Sequence, residues 1–272
     1  MVLKVDMAEF DLVAPMYDET RLPPTQKQLE AVARALGDAR RVLEGGVGTG
    51  RYALPLLQRG FRLTGIDLSL PMMHRARAKG LDSLVRGDLY HLPFRDRYFE
   101  ATLIVHVLQL LPDPFPVLRE LARVADCRVV TYLPDHRGVG RAIRREVRTR
   151  YIELAREMGY TVEVKTRYWE NGNKILERFP PEEIFELEEE HTPDPEAAKR
   201  WRDLRYFWGL VTVPPEVHEK IVERLRAEIP RPEKPWEPRV RHSRVAAWDA
   251  RKLYDAIARS LDQTGASSAG TV

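Results

Sequence analysis

Val42-Leu43-Glu44-Gly45-Gly46-Val47-Gly48-Thr49-Gly50-Arg51 decides the fold of this 272-residue chain. It is an apolar run ending in an acid and a glycine-rich turn, and residues 52–58 follow in helical pattern. Glycine admits backbone conformations and close ligand approach that a Cβ blocks, and here the glycines sit where a strand gives way to a helix. The segment is expected to be a cofactor-binding turn rather than an ordinary loop. Working outward, residues 41–133 repeat one alternation: a short β-branched or leucine-rich run, a turn, a helical pattern. That order predicts parallel strands joined by helical crossovers. Strands are expected at 41–46, 61–67, 82–86, 100–107 and 127–133, with the continuously apolar 100–107 near the sheet centre.

On the N-terminal side, residues 25–36 carry Leu29, Val32, Ala33 and Leu36 at helical spacing and stop at Gly37, a plausible C-terminal cap. Beyond the alternating block, residues 139–158 mix Arg and Glu with aliphatics and stop at Gly159, again a helix. Its arginines (Arg141, Arg144, Arg145, Arg148, Arg150) read as a solvated face. Residues 162–179 are expected to form a β-hairpin turning at Asn171-Gly172. Residues 193–229 read as two helical stretches separated by Val213-Pro214-Pro215, the first carrying Trp201, Tyr206, Phe207 and Trp208. A returning strand at 240–248 and a last helix at 250–261 follow a proline-rich connector. The expected organisation is an N-terminal helical segment (1–40), a cofactor-binding core (41–135), a connecting helix and strands (136–192) and a helical lid or insertion (193–229). The connector, returning strand and last helix (230–261) and a flexible tail (262–272) complete it.

Composition bounds the function. The balance of 44 Lys+Arg against 41 Asp+Glu leaves +3, too near neutrality for a surface built to grip nucleic acid or anionic lipid. One cysteine, Cys127, can form neither an internal disulfide nor a metal cluster, and it is expected in the core of its strand. That usage and the absence of a membrane-span pattern or signal peptide point to a cytoplasmic setting with no membrane partner.

Spacing limits the cofactor. A dinucleotide fingerprint needs G-x-G-x-x-G/A; counted from Gly46 and Gly48 its last position is Arg51, and counted from Gly48 and Gly50 it is Ala53, so one register survives. An NAD-type oxidoreductase would rest on that register alone. No nucleotide P-loop is present, because Gly50 is followed by Arg51-Tyr52 and not by Lys-Ser/Thr.

Glu44-Gly45-Gly46-Val47-Gly48-Thr49-Gly50 resembles the acid-x-G-x-G-x-G motif of the class I S-adenosylmethionine (SAM) dependent methyltransferases. Further segments resemble later motifs of that family in order: Leu63-Thr64-Gly65-Ile66-Asp67-Leu68-Ser69, Met72 on the next helix, Gly87-Asp88-Leu89 with His91-Leu92-Pro93-Phe94, and the run from Tyr98 to Leu108. Residues 87–121 are especially similar to small-molecule methyltransferases of the ubiquinone/menaquinone-biosynthesis type, and Tyr17-Asp18 with Arg21 resembles their N-terminal signature. The resemblance implies a Rossmann-like α/β sheet with helices on both faces and a C-terminal helical insertion. It implies SAM as cofactor, S-adenosylhomocysteine (SAH) as product and a small or medium-sized acceptor; nucleic acid is not the expected partner, since no appended RNA-binding domain is recognisable, and no metal is expected, since no convincing ligand cluster is present. Glu44 would meet the methionine ammonium, Asp67 the ribose hydroxyls and Asp88 the adenine amino group. Gly46, Gly48, Gly50, Leu68, Met72, Leu89, Tyr17, Arg21 and His106 complete the expected cofactor site.

His106 and Tyr17 are the candidates for a catalytic role, beside the plainer reading of His106 as a satisfied structural histidine. Asp88 has an alternative as a helix N-cap, and Arg51 is expected on the surface. Pro55 is expected to disturb its helix. Val105-His106-Val107-Leu108 lacks the Asn/Asp-Pro-Pro-aromatic motif of amino-group methylases of bases and glutamine. Two functions of different class stand: a SAM-dependent methyltransferase, and a SAM- or nucleotide-binding protein without transferase activity.

Overall fold

The computed structural model describes residues 8–21, 23–134, 140–160, 168, 170–191, 213–228 and 239–268. After helix α1 (Ala8–Val13) and two short 3₁₀ turns comes α2 (Gln26–Leu36). Thr25 closes a capping box with Gln28 at its start, and Gly37 ends it at φ +62°. The alternating block then runs β1 (Arg41–Gly45), α3 (Ala53–Gln58), β2 (Arg62–Asp67), α4 (Leu70–Ala78), β3 (Leu84–Arg86), β4 (Phe99–Val105), α5 (Phe115–Val124) and β5 (Ala125–Pro134). Next come α6 (Gly140–Glu157), α7 (Asn171–Arg178), β6 (Glu183–His191), α8 (Pro215–Glu228), β7 (Arg239–Asp249) and α9 (Ala250–Ser268).

The seven strands form one sheet in the order β3-β2-β1-β4-β5-β7-β6. Strands β1 to β5 pair in parallel, and β7 runs antiparallel between β5 and β6, with Thr131 opposite Ala246 and Val245 opposite Phe185. β4 is central, as its unbroken apolar run requires. Neighbouring residues bury opposite faces. Leu43, Ile104, Val129 and Trp248 pack with Leu118 and Leu121 of α5 and Leu253 and Ile257 of α9. Val42, Leu103, Val130 and Val245 pack with Val32 and Leu36 of α2 and Leu56 of α3. This is the expected Rossmann-like sheet covered on both faces. Reversal of order at β1 opens a crevice at the carboxyl ends of the strands, where such sheets bind ligands.

Away from the sheet, α6 and α8 bury Tyr151, Leu154, Val217 and Ile221 against each other, and the Tyr151 hydroxyl lies 2.8 Å from His218 Nδ1. Arg150 is not simply a solvated residue: it ties α6 to α8 by pairing with Glu153, Glu157 and Glu228.

Several expectations are corrected. The hairpin turn expected at Asn171-Gly172 is not formed, because these residues open α7, and the first half of the expected hairpin, 162–167, lies outside the described residues; Asn171 is buried and its Nδ2 donates to the carbonyls of Leu108 and Leu111 at 2.8 and 2.9 Å. Pro55 leaves its helix intact, because α3 starts at Ala53 and the missing N–H falls in the first turn, where it has no intrahelical partner to lose. Cys127 is exposed, because a register shift between Phe99 and Ala101 sets Asp126 and Cys127 together against the single residue Glu100 of β4, a bulge at the strand's start. Helix α9 reaches Ser268, into the stretch expected as a tail. Trp201, Tyr206, Phe207 and Trp208 lie outside the described residues. Among the described residues, no helix is long and apolar enough to cross a membrane.

Candidate active site

The glycine-rich turn is built for tight passage. Gly46 and Val47 both donate to the Ile66 carbonyl, at 2.8 and 3.1 Å, which pins the end of β1 to β2. Gly46 holds φ +68°, and a Cβ there would stand 2.4 Å from Val107 Cγ2. At Gly48, φ is +53° and a Cβ would meet nothing within 4 Å, so bare backbone faces open space. Gly50 holds φ +79°, and a Cβ there would crowd Leu54 at 3.2 Å; it lies behind the residues that line the cleft.

A cleft enclosing about 940 Å³, its open mouth included, lies above this turn. Tyr17, Glu44, Gly46, Gly48, Asp67, Leu68, Met72, Asp88, Leu89 and His106 all line it. Three acids therefore come to one wall from the ends of β1, β2 and β3. Asp67 Oδ2 accepts from the Gly48 N–H and Oδ1 from the Ser69 N–H, both at 2.8 Å. Burial raises its pKa, and these backbone donors counter the rise. Asp88 is not a helix cap; its Oδ1 accepts from the Tyr90 N–H at 3.0 Å in a turn, leaving the carboxylate partly exposed to the cleft.

Glu44 is 3% exposed, and its Oε2 is a buried atom with no hydrogen-bond partner. Burial pushes its pKa up to about 8, against the opposing pull of the Ala53 N–H and the Arg51 charge. This makes stability pH-dependent with a definite sign. Below about 4.5, the ordinary glutamate value, folded and unfolded chains both hold the proton; from there to about 8 only the folded chain does. Stability is therefore expected to fall by up to about 1.4 kcal/mol per pH unit across that window, and to level off above it. Glu44→Gln should flatten this component. Denaturant titrations of both proteins between about pH 5 and about pH 8 measure it, and equal slopes would refute the assignment.

The N-terminal segment forms a second wall. Phe10 and Tyr17 line the cleft, and with Val13 and Ala14 they pack on Met72 of α4. Two carboxylates hold the segment down. Asp11 Oδ1 accepts from Ser69 Oγ at 2.5 Å, and Asp18 Oδ1 accepts from Thr49 Oγ1 at 2.6 Å while Oδ2 pairs with Lys79 and Arg75. Burial alone would raise the Asp18 carboxyl, but the Thr49 hydroxyl and the two cations hold it below its ordinary value. Arg21 does not reach the wall; its guanidinium lies 5.2 Å over the Tyr17 ring.

At the other end, His106 follows β4 with φ +58°, a conformation that is uncommon outside glycine and collects at functional sites. Arg51, expected on the surface, lines the cleft beside Tyr52, Val107, Leu110 and Leu111. Sequence reading missed these, along with Phe10 and Tyr90. For Arg51 the available signal was its place directly after the glycine turn, where the chain is still at the strand ends.

The strand order and the acid-lined cleft above the glycine turn define the class I methyltransferase fold. Residues 43–128 match the family described as Methyltransferase domain (Methyltransf_11). Demethylmenaquinone methyltransferase of Renibacterium salmoninarum is 33% identical over 124 residues, 43% of this chain and 52% of that protein. Phosphatidylethanolamine N-methyltransferase of Cereibacter sphaeroides is 41% identical over 95 residues, 32% of this chain and 45% of that protein. The chain thus spans about half the length of the curated relatives it matches. A SAM-dependent methyltransferase from Thermotoga maritima has the same fold, with TM-score 0.54 and 18% identity over 90% of this chain and 99% of that one.

Proposed function

We propose that this chain is a SAM-dependent methyltransferase that acts on a small or medium-sized acceptor. The observation that carries this is the single wall on which Glu44, Asp67 and Asp88 follow one another from β1 to β2 to β3 above the bare backbone of Gly48. SAM fits those groups. The orphaned Glu44 Oε2 offers an acceptor to the methionine ammonium, Asp67 retains lone pairs for the ribose hydroxyls, and the exposed side of Asp88 suits the adenine amino group. The family match over residues 43–128 and the relatives named above support the same reading.

When bound, SAM supplies an activated methyl group, so no covalent protein nucleophile is required. The chain's own work is alignment and exclusion of water. Alignment of two reactants can contribute about 7 to 11 kcal/mol to lowering a barrier. Phe10 and Tyr17 on one side and Val107, Leu110 and Leu111 on the other close the cleft with apolar surface. His106 stands at the end of β4 with its ring in the cleft wall, in position to contact an acceptor.

Titration calorimetry with SAH and, separately, NAD tests the cofactor assignment. SAH is expected to bind with a micromolar Kd, about −8 kcal/mol, and NAD to give no saturable heat. Saturable NAD binding without SAH binding would return the surviving Gly48 register to favour.

A further inference from the structure

Residues 8–21 run beside the cleft, and Phe10 and Tyr17 from this segment line it. The segment has a small core of its own. Val13 and Ala14 bury against Met72 of α4 with Phe10 and Tyr17 beside them, and none of these residues belongs to the two clusters that cover the faces of the sheet. A segment with so few buried apolar groups opens at far less cost than the sheet does.

Polar contacts fasten it at two points, Asp11 on Ser69 and Asp18 on Thr49. Ser69 and Thr49 are each only 1% exposed. They also adjoin the donors that clasp Asp67. Ser69 gives its O–H to Asp11 and its N–H to Asp67, while Thr49 follows Gly48, whose N–H holds the other Asp67 oxygen. Among the described residues, Asp11 takes one hydroxyl, whereas Asp18 takes one hydroxyl and two cations, Lys79 at 3.0 Å and Arg75 at 3.5 Å. Both latches join the segment to residues of the core and not to the acids assigned to the cofactor. They therefore hold it with or without a ligand beneath.

Resting on the SAM assignment, we propose that residues 8–21 are a strap that lifts to let the cofactor in and its product out, and that Asp18 is the positioning residue whose latch sets both rates. Lifting takes Phe10 and Tyr17 off the cleft together. Closing restores an apolar wall that keeps water from the methyl group in transfer.

Surface plasmon resonance, with the full chain immobilised and SAH in the flow, measures both rates. Weakening a latch that acts alike in the free and bound states raises the open population of each by the same factor, so the rates rise together and their ratio holds. Asp18→Asn keeps an acceptor for Thr49 and removes the charge. Association and dissociation are each expected to quicken about tenfold, the equivalent of one charge-assisted contact, with Kd within about twofold. The retained Kd also reports that the variant is folded. Lys79→Ala, at an exposed residue that does not line the cleft, should quicken both rates about threefold, as a surface ion pair allows. Dissociation that quickens without association overturns the proposal, because Asp18 then acts on the bound ligand alone, and so do unchanged rates in both variants. Hydrogen exchange on the unaltered chain needs no substitution: amides of 8–21 are expected to exchange faster than those of β4 and to slow when SAH is bound. Exchange as slow as in β4, or no response to SAH, also overturns the strap. Failure of the unaltered chain to bind SAH overturns the cofactor assignment itself, and this inference with it.

Discussion

Asp67→Ala is expected to weaken SAH binding by about a hundredfold. Each carboxylate oxygen of Asp67 already accepts one backbone N–H, from Gly48 on one side and Ser69 on the other, which fixes the plane of the group. A carboxylate offers about four acceptor positions, so one on each oxygen remains for a vicinal diol. Two hydrogen bonds to a charged group at roughly 1.5 kcal/mol each amount to about 3 kcal/mol, slightly over two decades in Kd. Alanine also frees the Gly48 and Ser69 amides, so part of the loss comes from a looser turn. Comparing adenosine with 2′,3′-dideoxyadenosine isolates the diol: the wild type should prefer adenosine, and Asp67→Ala should treat the two alike. Unchanged SAH affinity, or a preference kept by the variant, would remove Asp67 from the site.

Gly46→Ala should have the largest effect on the fold itself. The residue sits at φ +68°, and its new methyl would stand 2.4 Å from Val107 Cγ2. Left-handed backbone costs an L-residue about 1 to 2 kcal/mol. Overpacking against a β-branched neighbour that cannot rotate away adds about 1 to 3 kcal/mol. The sum, roughly 3 kcal/mol, is a large share of the usual stability of a domain, and for a chain of this size corresponds to a fall in Tm of roughly 6 to 12 °C. Val107→Ala in the same chain should recover the packing part and leave the backbone part. Gly48→Ala is the contrast: nothing lies within 4 Å of its Cβ, so only the backbone strain remains, while the methyl enters the cleft and lowers SAH affinity. Equal thermal shifts for the two glycine variants, followed by calorimetry or circular dichroism, would contradict this account of Gly46.

What could be read in advance follows how local the signal is. β1, β2, β4 and β5 announce themselves because each carries buried apolar residues and is bounded by turns, and the returning strand β7 is legible for the same reason from Val245 to Trp248. β6 went unseen. Its Glu183, Glu186, Glu188 and Glu190 suit an edge strand with one flank in solvent, and its identity as a strand comes from pairing with β7. Asn171-Gly172 looked like a hairpin turn because only tertiary contact reveals what Asn171 does, which is to bind two carbonyls of the 108–111 turn from inside the core. In the cleft, the acids and glycines were legible from motif spacing, whereas Phe10, Tyr52 and Tyr90 are ordinary aromatics until the fold brings them together. Arg51 was misplaced because a charge at the start of a helix is more often solvated than turned along a strand end.

The antiparallel insertion of β7 between β5 and β6 sets an order on the making of this protein. β6 leaves the ribosome before residues 192–238, and its pairing partner, Arg239–Asp249, comes after them. Until then β5 has one bare edge and β6 no strand beside it, whereas the acid-lined end of the cleft, formed from β1 to β3, is already fully synthesised. Pairings such as Thr131 with Ala246 join residues far apart in sequence, and such contacts form slowly because a long loop must close first. The ligand-holding half of the sheet can thus assemble during synthesis, while the half that completes the sheet waits for the last strand.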